Sequence, residues 1–186
     1  MRWPVFAVFA FTALALEVSL RNTLRLDSLW GISPSFVACV AVLVAVFANR
    51  LSALWACWML GVLMDLVQPG HDGVRVIGPA AIGFVFAGYM VTLLRTMVFR
   101  RKAITMGAMT FVFLLASGIV SVCVVTIRSW YPDEGGGSWS PMRALASHAL
   151  EALYGGVVAI PVGWLLLLTL PIWGFPATTP RRGGWF

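Results

Sequence analysis

The stretch that decides the fold is Gly61-Val-Leu-Met-Asp-Leu-Val-Gln-Pro-Gly-His-Asp-Gly73, an apolar run that carries one carboxylate, Asp65, and then stops. Gln68-Pro-Gly70 predicts a helix end within a turn of this acid, because proline lacks a backbone N–H and disfavours helix at the preceding residue. Asp65 then lies near the negative end of its own helix dipole, which is unfavourable unless a cation compensates it. Arg75 across the short turn and Arg21 from the first hairpin are the nearest candidates. An interfacial acid that lipid headgroups solvate is the alternative.

Outward from this stretch, the whole chain is apolar. Of its 186 residues, 60% are hydrophobic and only 11% are charged, and the mean hydropathy is +0.91. A soluble domain of this size cannot bury so much apolar surface. The composition therefore predicts an all-α, polytopic integral membrane protein, a single domain over residues 1–186 with no room for a soluble catalytic domain.

Apolar runs of membrane-spanning length recur from end to end of the chain, and they predict six transmembrane helices. The predicted spans are about 3–20, 32–48, 51–67, 76–98, 104–127 and 145–171. Only Asn49-Arg50 separates the second span from the third, so these two form a tight antiparallel hairpin. Both are short for a hydrocarbon core of about 30 Å.

The net charge of +6 comes from arginines and a single lysine, Lys102, that lie between the apolar runs. This pattern indicates membrane orientation and not a nucleic-acid-binding face. With the N-terminus in the cytoplasm, eight basic residues fall on the inner side and five on the outer side. The excess predicts that both termini are cytoplasmic, and the basic cluster Arg100-Arg-Lys102 is also suited to contact anionic membrane lipid. Arg2 and the apolar run after it resemble a secretory signal, but a retained first helix is the favoured interpretation.

Three acids lie inside the predicted spans: Glu17, Asp65 and Glu151. In the orientation above, all three fall in the outer third of the membrane, and His148 lies one turn before Glu151. Ionisable groups inside a membrane are costly and usually face the bundle interior or a partner. We therefore expect these acids to be structural or partner-binding residues.

Small residues form a stripe on the sixth span. Glu151, Gly155, Ala159 and Gly163 follow one another at intervals of four. Small residues at this spacing let helix backbones approach closely in lipid, more often inside a bundle than at a partner interface. The fourth span has a shorter version, Gly83 and Ala87.

Sequence motifs for catalysis or metal binding are missing from the chain. The two histidines, His71 and His148, do not belong to an HExxH motif, and neither a GxSxG motif nor a phosphate loop occurs. The three cysteines, Cys39, Cys57 and Cys123, lie within predicted spans and are interpreted as small apolar core residues. The sequence predicts a protein that is not an enzyme and that uses no cofactor or metal.

The middle of the chain carries several short motifs in sequence. A basic two-residue hairpin leads into a helix that ends GVLMDLV, followed by a short turn, GVRVIGPAAIGFVFAGYMVTLLR (Gly73–Arg95) and a basic loop. This order resembles the rod shape-determining protein MreD family. In that family a G-x-L-x-D-L helix end, a small-residue helix and a closing arginine recur in this order. The resemblance is strongest over residues 34–102. It maps the family motif onto Gly61, Asp65, Gly83, Gly88 and Arg95.

This resemblance implies a non-enzymatic scaffold of the bacterial cell-wall elongation machinery, located in the inner membrane. The implied partners are an MreC-like bitopic protein, a RodA-type glycosyltransferase with its penicillin-binding transpeptidase, and, indirectly, MreB filaments. It gives Asp65 a structural or partner-binding role.

A substrate-binding subunit of an energy-coupling-factor vitamin transporter is the alternative, because MreD-like proteins are similar to these subunits in architecture. The polar groups predicted near the outer face suit a ligand pocket. However, that family meets its coupling subunit through small residues four apart on the first helix. Here Ala7, Ala10 and Ala13 are three apart.

Overall fold

The computed structural model describes residues 1–24, 32–67, 78–95, 102–128 and 140–175. Within these ranges the regular structure is helical and contains no strand, which confirms the predicted all-α class. The helices are α1 (Trp3–Leu24), α2 (Phe36–Phe47), α3 (Arg50–Val67), α4 (Pro79–Leu94), α5 (Ala103–Arg128), α6 (Pro141–Leu168) and α7 (Leu170–Trp173).

Four of these helices, α1, α3, α5 and α6, are long and apolar enough to cross a membrane, as expected of a membrane protein. The other two candidate spans are shorter. Helix α2 has 12 residues and α4 has 16, which correspond to about 18 and 24 Å at ~1.5 Å per residue. Six complete crossings therefore remain a prediction, and the short pair is α2 and α4 instead of the expected second and third spans.

The observed helix ends follow local sequence chemistry. Helix α3 stops at Val67, directly before Gln68-Pro-Gly70, as predicted. Helix α2 begins at Phe36 and not at Ile32, because Ser35 has an extended backbone and its hydroxyl accepts a hydrogen bond from the amide of Ala38. Helix α6 begins earlier than predicted, at Pro141, a residue type well suited to the first turn of a helix.

Helix α2 lies at the centre of the bundle. Every residue from Val37 to Val46 is buried, and α2 contacts α1, α3, α4, α5 and α6. A helix that is apolar on all sides is expected to be buried on all sides. The surrounding helices instead expose large apolar side chains, for example Phe11, Leu51 and Ile104, which are 66%, 66% and 72% exposed. Such an apolar outer surface is suited to lipid.

The helices alternate in direction, so their termini gather at two ends of the bundle. At one end, Glu17 of α1 contacts the start of α2, Asp65 of α3 contacts the start of α4, and Gly118 of α5 faces His148 of α6. We call this the carboxylate end. The opposite end, where the α2–α3 turn meets Arg95 after α4, we call the arginine end.

The three cysteines do not share one environment. Cys39 and Cys57 are buried, as the sequence predicted, but Cys123 on α5 is exposed. The prediction of a core position was wrong for Cys123, because a small apolar residue is equally at home on a surface that faces lipid.

Candidate functional site

Asp65, near the C-terminus of α3, caps the N-terminus of α4. Its Oδ2 accepts hydrogen bonds from the amides of Gly78, at 2.8 Å, and Ala81, at 3.1 Å. Its Oδ1 accepts from the amide of Ala80 at 3.0 Å. The first amides of a helix lack partners within it and carry the positive end of the helix dipole. Three backbone amides of α4 therefore hydrogen-bond the carboxylate directly.

Gly61 makes that cap possible. It lies one turn before Asp65, and a β-carbon built on it would lie 2.6 Å from the Cα of Ala81 and 2.8 Å from the carbonyl oxygen of Ala80. Both neighbouring atoms are backbone, so a side chain at this position displaces the start of α4. Gly61 and Asp65 thus act on the same turn of α4: Gly61 leaves space for its backbone, and Asp65 accepts hydrogen bonds from its amides.

Glu17 repeats the arrangement between α1 and α2. Its Oε2 accepts hydrogen bonds from the amide of Val37, at 3.0 Å, and from the hydroxyl of Ser35, at 3.2 Å. The Ser35 hydroxyl in turn accepts from the amide of Ala38 at 3.2 Å. The N-terminus of the central helix is consequently held by a carboxylate and a hydroxyl together.

Arg95 serves the other end of the same central helix. Its Nη1 donates to the carbonyl oxygen of Ala48 at 2.6 Å and lies 3.4 Å from that of Ala45. Ala45 lies in the last turn of α2 and Ala48 is its C-cap residue, where partners within the helix run out and the dipole is negative. Side chains from α1 and from the end of α4 therefore satisfy both termini of a helix whose ends are buried, since Ser35 is 5% exposed and Ala48 is 2% exposed.

The two other motif glycines fit α4 between its neighbours. A β-carbon on Gly83 would lie 2.8 Å from the carbonyl oxygen of Ser117 on α5, and one on Gly88 would lie 2.6 Å from the sulfur of Cys57 on α3. Gly83 thus sets the distance to α5, and Gly88 sets the distance to α3. Small residues are the usual means of such close approach in lipid.

The small-residue stripe of α6 lies in the interface with α5. Ala159 is 1% exposed. A β-carbon on Gly155 would lie 2.5 Å from the side chain of Leu114, and one on Gly163 would lie 2.7 Å from that of Met106. The stripe is therefore used inside the bundle, in agreement with the favoured interpretation of its spacing.

Glu151, at the head of that stripe, lines a polar cavity at the carboxylate end. Its Oε2 lies 3.3 Å from Nδ1 of His148. The cavity has a volume of about 80 Å³, enough for a few water molecules. Its polar lining comes from Ser35, Ser117, Ser121, His148 and Glu151.

Ser35 connects this cavity with the cap of α2, because its hydroxyl donates to Glu17. Ser35 was not among the site residues predicted from the sequence. The signal was a serine directly before an apolar run, which is typical of a helix N-cap. Arg75, which was predicted as a partner of Asp65, lies outside the described residues.

Comparisons with protein-family models, with curated proteins and with solved structures found no match for this chain.

Proposed function

We propose that this chain is a non-enzymatic scaffold in the bacterial inner membrane that belongs to the cell-wall elongation machinery and contributes to rod shape. The proposal adopts six crossings with both termini in the cytoplasm, so that the carboxylate end faces outward. Helices α2 and α4 then cross the membrane as short helices, with α2 enclosed by its neighbours and α4 exposed along one face.

One observation carries the proposal. The residues that the family resemblance singles out act together on one structural unit, the short helix α4 and its junctions. Gly61 and Asp65 fix its start, Gly83 and Gly88 fix its distance from α5 and α3, and Arg95 after it caps α2. All five motif residues therefore position helices relative to one another, which is the role expected of a scaffold protein.

The proposed role of Asp65 follows from its hydrogen bonds. Its two oxygens accept hydrogen bonds from three backbone amides, so both oxygens are engaged as acceptors. A carboxylate held in this way sets the position of α4. We propose that α4, so positioned, forms part of the surface that meets an MreC-like bitopic protein.

Co-purification from the native bacterium tests this function. A tagged copy of the chain should retain a single-pass periplasmic protein, together with the glycosyltransferase and transpeptidase of wall elongation. Loss of the chain should convert rods into round cells. Normal rods after deletion, together with no such protein retained, would contradict the proposal.

The alternative is a substrate-binding subunit of a vitamin-type uptake transporter, and the cavity at the carboxylate end is the observation that favours it. Its volume of about 80 Å³ is well below the 300–1,000 Å³ that is roughly typical of pockets for small organic ligands. We therefore rank the scaffold first. Thermal unfolding of the purified protein with a panel of vitamins distinguishes the two, because a ligand that binds the folded state raises its melting temperature.

A further inference from the structure

A groove runs along the outside of the bundle between α3 and α4. It has a volume of about 450 Å³ and an almost wholly apolar lining. Two of its residues, Leu54 and Val85, are half-buried and form its floor. The remaining lining residues are exposed and form its walls: Trp58, Ile82, Phe86 and Tyr89.

A positive charge stands at one end of this groove. Arg50 is the first residue of α3, and its guanidinium carbon lies 4.7 Å from the centroid of the Tyr89 ring. Tyr89 is itself a groove residue, and Leu54 lies one helical turn beyond Arg50 on the same side of α3. The cation–π contact therefore places the guanidinium at the mouth of the groove.

The groove is oriented in the same way as a lipid molecule in a membrane. Helix α3 is a candidate membrane span that begins at Arg50, and a helix that spans a membrane places its first residue at the membrane surface. From there the groove runs inward along α4, from Tyr89 back to Ile82, over about 10 Å at ~1.5 Å per residue. A charged headgroup at the mouth and an apolar chain within the groove match this arrangement.

We propose that the α3–α4 groove binds an anionic phospholipid, with its phosphate at Arg50 and one acyl chain along the groove. The proposal requires that the chain lies in a membrane, but it does not depend on the scaffold function. In the proposed orientation Arg50 faces the cytoplasm, where a membrane carries its anionic lipids.

The headgroup, more than the acyl chain, determines the selectivity. An acyl chain gains little by exchanging neighbouring lipid for an apolar groove, since the two are equally apolar. The charge distinguishes the lipids, because one basic residue at a membrane surface favours an anionic lipid by about fivefold. The groove residues contact the acyl chain of that lipid and so keep it bound at one position beside Arg50.

Brominated lipids test the proposal, because bromine on an acyl chain quenches the fluorescence of a tryptophan that it contacts. The full-length protein is placed in vesicles of phosphatidylcholine that contain either brominated phosphatidylglycerol or brominated phosphatidylcholine. The difference between wild type and Trp58→Phe gives the quenching of Trp58 in the groove. We expect phosphatidylglycerol to quench Trp58 at a concentration about fivefold lower than phosphatidylcholine.

Substitutions at Arg50 identify the source of this preference. Arg50→Gln should abolish it, and Arg50→Lys should retain most of it, because lysine keeps the charge. Arg143→Gln, at the carboxylate end, is the matched control and should leave the preference unchanged. Folding of each variant is checked by its thermal unfolding in the same vesicles.

Equal quenching by the two lipids in wild type would overturn the proposal, because the groove would then contact lipid without regard to its headgroup. A preference that survives Arg50→Gln also overturns it, because the selectivity then arises elsewhere. These quenching results do not depend on whether the chain is a scaffold or a transporter subunit. The lipid proposal and the proposed function can therefore fail independently.

Discussion

Gly61 and Asp65, one helical turn apart on α3, act on the same turn of α4. The missing side chain of Gly61 lets the backbone of Ala81 approach, and the Asp65 carboxylate then accepts the amides of Gly78, Ala80 and Ala81. Neither residue is sufficient alone. A side chain at position 61 would meet the backbone of Ala80 and Ala81, and without the acid three partly buried amides at the start of α4 lose their partner.

Replacement of Asp65 by leucine should lower the free energy of unfolding by about 2–4 kcal/mol, since a helix cap and several charge-assisted hydrogen bonds are lost. Asp65→Asn should cost less, because the amide keeps one accepting oxygen. Denaturant-induced unfolding in detergent measures both values. Leu66→Ala, at an exposed neighbouring position, is the control and should be close to wild type. In cells, an intact complex and normal rods with Asp65→Leu would reject the proposed role of Asp65.

Gly61→Ala should destabilise the protein by about 1–3 kcal/mol, because the added methyl group meets backbone atoms that cannot move alone. Combined with Asp65→Asn, it should cost less than the sum of the two single substitutions, since each already loosens the same junction. Unfolding of the four proteins of this double-mutant cycle gives the coupling energy. Strict additivity would show that the two residues act on separate features.

The ends of α2 should respond separately to substitutions of their two caps. Glu17→Leu should speed amide hydrogen exchange at Val37 and Ala38, and Arg95→Leu should speed it in the last turn of α2, near Phe47. Each change removes partners from one terminus of the helix. Mass-spectrometric exchange on fragments that cover α2 measures the effect. The capping assignment would be contradicted if both variants exchanged faster by the same amount along the whole of α2.

Leucine in place of Gly155 should disrupt the packing of α6 against α5, because the position already contacts Leu114. The expected cost is about 1–3 kcal/mol, or failure to fold. Val157→Leu is the matched control: Val157 lies two residues later and is 60% exposed, and the change should be nearly neutral. Similar stability of the two variants would place the stripe outside the interface.

Parts of this fold could be predicted from the sequence because their signals are local. The end of α3 follows from Gln68-Pro-Gly70, the tight α2–α3 turn follows from the two residues that separate the apolar runs, and the stripe of α6 follows from its spacing of four. Each depends on residues within a turn or two of the feature. The central position of α2 was also accessible in principle, because its sequence, FVACVAVLVAVF, contains no charged residue.

The partner of Asp65 could not be predicted in the same way. The sequence pattern pointed to a charged side chain that compensates the carboxylate, because backbone amides are present at every residue except proline and carry no signal. Which amides are free depends on where α4 begins and how close it approaches, and both are tertiary facts. For Glu17 the same reason applies, and its partners lie 18 and 20 residues further along the chain.

The capping of α2 also has a consequence for the order in which the helices of the nascent chain assemble. Glu17 is synthesised before α2, but Arg95 follows its carbonyl partner Ala48 by 47 residues. A nascent chain that has just completed α2 therefore holds one end of this helix in place and leaves the other open. Arg95 becomes available to the C-terminus of α2 only after α3 and α4 have been synthesised. Helices α1 to α4 are thus expected to leave the insertion machinery as one group, and release of α2 should be delayed in chains truncated before Arg95.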